Sequence, residues 1–124
     1  MENLYQNTSP VVSLSMFDFD GDRLIKFHNR QKKKPKQGII IFYTPWCKGC
    51  IHMKDRIEDI ATQFSDRFII TAVNCEHPLN YGLKQRFGIK RYPTIKYFDA
   101  KGDIETYTGP VDRDHILSLI TSHL

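Results

Sequence analysis

Cysteine is scarce in this chain: three among 124 residues, an odd number, with two of them three positions apart. That count excludes the disulfide framework on which small secreted domains depend, and at most one intrachain bridge is expected. Long apolar runs are missing too. Nothing approaches the ~20 residues of a membrane-spanning helix, so no membrane partner is expected. The opening residues, MENLYQNTSP, lack the basic cluster and apolar stretch of a secretory leader, so the expected compartment is the cytoplasm or another non-secreted, reducing one. Strong charge imbalance is absent as well: 18 basic against 14 acidic residues leave a net charge of +4. Charged residues make up 26% of the chain, an ordinary share that argues against disorder.

What is present suffices for one folded unit. With 40% of its residues apolar or aromatic, the chain supports a single core without stapling. The expected division is a flexible, polar segment over 1–10 and one domain over 11–124. The excess positive charge is local, because Arg30, Lys32, Lys33, Lys34 and Lys36 crowd around Pro35. This run reads as a solvated connector. Nuclear import or a nucleic-acid patch is the rival reading, weakened because no aromatic side chain interleaves the basic ones to stack on bases. FDFDGD, residues 17–22, has carboxylates around Gly21 but no downstream glutamate, so it reads as a turn with a capping Asp rather than a calcium loop.

Periodicity sets the order of elements. VVSL at 11–14 reads as a short strand and 22–29 as a short helix carrying Leu24, Ile25, Phe27 and His28. GIIIFYT at 38–44 is a continuous β-branched and aromatic run, the pattern of a parallel strand covered on both faces. Met53, Ile57, Ile60, Ala61 and Phe64 then recur at helical spacing, with charged residues on the other side. FIITAVNC (68–75) reads as a second buried strand, and 79–87 as a weaker helix closed by Gly88. Residues 94–98 and 103–107 read as a hairpin, and a closing helix starts from Asp112 or Asp114. The order β-α-β-α-β-α-β-β-α implies a mixed central sheet flanked by helices.

The segment TPWCKGC, residues 44–50, joins the first buried strand to its helix. C-x-x-C spacing permits a redox pair, two metal ligands or plain packing. Its position narrows the choice, since reactive groups of open α/β sheets gather beyond the carboxyl ends of the strands. Free backbone N–H groups and the dipole at a helix N-terminus stabilise an anion, so Cys47 is expected as the thiolate. Cys47 would attack a substrate disulfide, and Cys50, one turn deeper, would resolve the mixed disulfide. Cys75 reads as a buried free thiol. The metal alternative groups Cys47, Cys50, Cys75 and His77, with His52 in reserve.

IIIFYTPWCKGC, then FGIKRYPTIKYF, then YTGP before a helix, together resemble the thioredoxin superfamily, and within it a single catalytic domain of the protein disulfide isomerase type. The resemblance runs from about Val11 to the end. It implies a thioredoxin-like three-layer α/β/α sandwich and a thiol–disulfide oxidoreductase, with Trp46 flanking the nucleophile Cys47 and Cys50 resolving. Pro93 matches the cis-proline facing the dithiol, where the backbone of Tyr92 pairs with an extended substrate. No cofactor beyond the reversible Cys47–Cys50 disulfide is implied, and no metal; the implied partners are protein disulfides and a recycling redox partner.

Departures from the family pattern accompany the match. Ile41 stands where a buried acidic residue commonly serves as proton acceptor for the resolving thiol, and Ala72 where a Lys often pairs with it. Val111 replaces an Arg, with Arg113 two residues on, and Asp55 replaces a helix proline. Lys48-Gly49 between the cysteines tunes the pair, with a small effect expected from a solvated ammonium. A redox-inactive interaction module on the same fold is the other alternative.

Overall fold

A computed structural model describes residues 3–27 and 37–124. The basic run at 30–36 and His28 lie outside the described residues. Among the described residues, strands and α-helices follow in the order β1 (Val12–Leu14), β2 (Phe19–Asp20), β3 (Arg23–Leu24), β4 (Gly38–Tyr43), α1 (Lys48–Gln63), β5 (Ile69–Asn74), α2 (Tyr81–Arg86), β6 (Thr94–Phe98), β7 (Ile104–Thr106) and α3 (Arg113–Thr121). The main sheet has the order β1-β5-β4-β6-β7. Strands β1, β5 and β4 run parallel, whereas β6 and β7 are antiparallel additions.

β4 is the spine of the sheet, and every one of its residues is buried. Side chains alternate across a strand, so Ile39, Ile41 and Tyr43 face one side while Ile40 and Phe42 face the other. The first set packs against Ile57, Ile60 and Ala61 of α1 and Ile116 and Ile120 of α3. The second packs against Leu83 of α2 together with Leu14, Leu24 and Phe98. Each such apolar side chain contributes roughly 1.5–3 kcal/mol by leaving water, which is why a strand with no polar face is stable only at this central position. The mixed sheet covered on both faces is the architecture expected.

Helix ends follow local chemistry. Asp112 caps α3 by accepting the backbone N–H of His115 at 2.9 Å. Gly88, at φ +62°, takes the left-handed conformation that ends α2.

One segment differs from the sequence reading. Residues 22–27 of the helix expected over 22–29 contain no helix; Arg23 and Leu24 pair with Asp20 and Phe19 in a two-stranded hairpin turning at Gly21. Long-range pairing overrides the local pattern: Leu24 N–H donates to Gly102 O at 2.9 Å, and Arg23 donates to Lys101 O at 2.6 Å. Phe27 stacks on Phe98, with centroids 5.9 Å apart.

The N-terminal segment makes contacts of its own. Over residues 3–10 it is packed down, because Tyr5 is only 2% exposed and meets Tyr43 edge-on at 5.6 Å. Its polar residues anchor it. Leu4 N–H donates to Tyr43 Oη at 2.9 Å, Ser13 Oγ donates to Tyr5 O at 2.8 Å, and Ser9 Oγ donates to Glu58 Oε2 at 2.6 Å.

Candidate active site

The chain leaves β4 at Tyr43, turns through Thr44-Pro45-Trp46, and enters α1 with Cys47 as the capping residue. Cys47 takes the role that Ser or Asp fills elsewhere: its Sγ accepts the backbone N–H of Cys50 at 3.2 Å. No acidic residue stands in the first turn of this 16-residue helix. All three cysteines are free thiols. Cys47 is 8% exposed and Cys50 3%, so the outer sulfur is the more accessible of the pair. Burial pushes the Cys50 thiol well up, reinforced by the hydrogen bond and charge of Cys47, while backbone N–H groups of Thr44 and Cys50 pull it partly back. Lys48 and Gly49 are exposed on the first turn.

Facing this turn is Pro93, whose bond to Tyr92 is cis. Pro93 and Cys50 line one small cavity, and a Cβ on Gly49 would meet Pro93 Cδ at 3.9 Å. Trp46 is 60% exposed, yet its Nε1–H donates to Glu76 Oε1 at 3.0 Å and its ring stands edge-on to Tyr92 at 6.0 Å. Beyond Pro93 an open groove of about 530 Å³ runs past Arg91, Thr94 and Tyr107. Trp46, Cys47, Cys50, Tyr92 and Pro93 therefore converge, with Lys48-Gly49 at the rim. The arrangement sets one sulfur at a helix N-terminus and a second, more deeply buried, behind it, beside an apolar edge and a groove.

The fourfold metal set does not converge. Cys75 belongs to the core on the opposite face of the sheet from Cys47 and Cys50. His77 Nδ1 is occupied, accepting the N–H of Leu79 at 3.2 Å. Among the described residues no group of three His, Cys, Asp or Glu side chains could hold a metal ion. Cys75 is a buried free thiol, pushed up to about 11 chiefly by burial, with the Tyr92 hydroxyl and the Lys84 charge opposing.

Ile41 lies in register between Ala72 of β5 and Ile95 of β6, and lines the cavity behind Cys50. Val111 lines it too, whereas Arg113 pairs with Asp114 at the start of α3. Asp55 is exposed on an unbroken α1. One residue of this neighbourhood escaped the sequence reading: Tyr5, which lines the same cavity. Its only signal was a Leu-Tyr pair in an otherwise polar opening.

A mixed sheet whose central strand delivers a C-x-x-C pair to a helix N-terminus, opposite a cis-proline, defines a thioredoxin-fold domain. The thioredoxin family profile matches residues 23–122, and the chain belongs to that family. It is 30% identical to the protein disulfide-isomerase tigA of Aspergillus niger over 118 residues, covering 92% of this chain and 30% of that protein. Protein disulfide-isomerase 1 of Dictyostelium discoideum is 31% identical over 91 residues, 71% of this chain and 25% of its own length. The chain thus spans between a quarter and a third of these isomerases. Thioredoxin 1 of Synechococcus elongatus is 27% identical, with 69% of this chain and 78% of that protein covered. In fold it is similar to the first thioredoxin domain of mouse Protein disulfide-isomerase A4, with a TM-score of 0.70 at 22% identity, covering 91% of this chain and 74% of the other.

Proposed function

We propose that this domain is a thiol–disulfide oxidoreductase that exchanges its Cys47–Cys50 pair with protein disulfides. The observation that carries the reading is the Cys47 sulfur at the N-terminus of α1, less deeply buried than Cys50 and accepting the Cys50 N–H at 3.2 Å. The Cys47 thiolate attacks one sulfur of a substrate disulfide, forming a mixed disulfide and releasing the other substrate sulfur as a thiolate. Cys50 loses its proton to water and attacks the Cys47 sulfur. The internal disulfide forms, the bond to substrate breaks, and the second substrate sulfur leaves. Two electrons have passed from the pair to the substrate, and a separate dithiol partner resets the pair by reducing it. No cofactor is needed, because the Cys47–Cys50 pair carries the two electrons as its dithiol and gives them up as it becomes the disulfide. Trp46 and the Tyr92-Pro93 edge serve as the surface on which an extended peptide lies.

Reduction of insulin disulfides tests the reading. Cys47→Ser is expected to abolish turnover, and Cys50→Ser to accumulate a mixed disulfide with the substrate. Turnover that survives Cys47→Ser overturns it. Equilibration of the pair with glutathione gives the direction of flow: a potential near about −270 mV marks a reductase, one near about −180 mV an isomerase or oxidase.

A further inference from the structure

Resolution requires Cys50 to become a thiolate inside the core. The cavity behind it is about 10 Å³, room for roughly one water. Its walls are almost wholly hydrocarbon or thioether: Ile41, Met53, Ile57, Pro93, Ile95 and Val111 contribute no side-chain O–H or N–H. Tyr5 is the exception. It reaches the cavity from the segment ahead of β1, with its ring set edge-on against Tyr43 and its backbone held by Ser13. A phenylalanine would fill the same volume without desolvating a hydroxyl, which costs about 1–3 kcal/mol where it is left unpaired.

We propose that Tyr5 Oη–H is the hydrogen-bond donor that receives the Cys50 thiolate, directly or through one water in the cavity between them. The inference rests on the exchange reading for its purpose, whereas the cavity that Tyr5 and Cys50 share does not. The ionisable groups facing this pair are Cys47 at the cap of α1, Glu58 within α1 and Tyr43 from β4, while Pro93, just ahead of β6, and Ile95 of β6 carry no ionisable group. Burial first, and then the charges of Cys50, Tyr43 and Glu58, keep the Tyr5 phenol protonated above its ordinary range. In this scheme the phenol keeps its proton while Cys50 gives up its own, and acts only as a donor. The Cys50 proton goes to water, the thiolate accepts the phenol hydrogen bond, and the S–S bond then forms as the substrate sulfur departs. No electron passes through Tyr5. It is a positioning residue for the resolving sulfur.

The test follows Cys50 alone, in a Cys47→Ser background that has no turnover. Alkylation by iodoacetamide is timed across pH, and peptide mass spectrometry separates the Cys50 peptide from that of Cys75. Tyr5→Phe keeps the ring, and circular dichroism checks the fold. The expected result is a fall in the Cys50 alkylation rate of about tenfold at fixed pH, equivalent to an upward shift of about one pH unit. An unchanged profile in folded Tyr5→Phe overturns the proposal. Where Tyr5→Phe fails to fold, 3-fluorotyrosine at position 5, a stronger donor of the same shape, is expected to raise the rate; no change or a fall counts against the hydrogen bond. Because the readout needs no exchange activity, failure here leaves the insulin assay to judge the oxidoreductase reading separately.

Discussion

Trp46 Nε1–H donates to Glu76 Oε1 at 3.0 Å, tying the loop ahead of Cys47 to the end of β5. An indole as exposed as this one has little packing to hold it, so the hydrogen bond and the edge contact with Tyr92 fix its orientation. Glu76→Ala is expected to lower the fluorescence anisotropy of Trp46, the single tryptophan, and to increase its quenching by acrylamide. If Trp46 orients substrate, kcat/KM for insulin reduction drops about two- to fivefold, the scale of one half-exposed charged hydrogen bond. Glu76→Gln retains an acceptor and lies between. Anisotropy equal to wild type in Glu76→Ala counts against the tether.

The buried thiols make stability depend on redox state at alkaline pH. In the unfolded chain these thiols ionise near the ordinary value of 9.0, whereas folding pushes Cys50 well up and Cys75 up to about 11, in each case mainly by burial. Above pH ~9 the unfolded state therefore binds fewer protons than the folded state, and stability falls as pH rises. Cys75 contributes to this in both redox forms, with its effect complete by about pH 11. Cys50 contributes only as the free thiol. Urea midpoints between about pH 8 and 10.5 are expected to fall further for the dithiol than for the Cys47–Cys50 disulfide. Parallel profiles for the two forms count against a buried, protonated Cys50.

How far the sequence was readable depended on the distance over which each element is decided. GIIIFYT announced a central strand because burial on both faces leaves no polar position to disguise it, and TPWCKGC followed at once, at the start of an amphipathic helix. Those signals are local. The hairpin at Phe19–Leu24 is not: Arg23 bonds to Lys101, 78 residues away, and no periodicity within an eight-residue window reports that partner. Tyr5 was hidden for a similar reason, since a short polar segment reads as a tail until Tyr43, 39 residues from Leu4, supplies its anchor. The lining of the cavity behind Cys50 was half legible. The absent acidic residue at Ile41 could be read from the sequence, but the phenol brought in from elsewhere could not.

Two glycines make opposite predictions. Gly49 sits in the first turn of α1, and an added Cβ meets only Pro93 Cδ at an ordinary 3.9 Å. Gly49→Ala removes unfolded-state freedom without a clash, and is expected to stabilise by up to ~1 kcal/mol while insulin reduction stays within about twofold. Gly38 begins β4, and a Cβ there runs into the backbone carbonyl of Ile69. Gly38→Ala forces the central strand pair apart and is expected to destabilise by more than about 2 kcal/mol in urea unfolding. A destabilised Gly49→Ala contradicts the open contact with Pro93.

Ile41 and Ala72 are direct partners in the β4–β5 register, both buried on the face that carries Cys50. A carboxyl introduced by Ile41→Asp enters a buried cavity whose described lining holds no Lys, Arg or His, so burial raises its pKa and it stays protonated at pH values where the unfolded chain ionises. By linkage the variant loses stability as pH rises through the ordinary carboxyl range, and is expected to be about 2–5 kcal/mol less stable than wild type at pH 7 but closer to it at pH 4. Adding Ala72→Lys puts an ammonium beside the carboxyl and recovers part of the loss at pH 7. The same carboxyl lines the Cys50 cavity and offers its thiol a proton acceptor, so a mixed disulfide on Cys47 should resolve faster in the double variant than in wild type. Urea midpoints at the two pH values, together with the decay of a mixed disulfide formed with a chromogenic thiol, measure both effects. A loss of stability that is the same at pH 4 and pH 7 would mean that the introduced group reaches water, and that the pocket behind Cys50 is not closed.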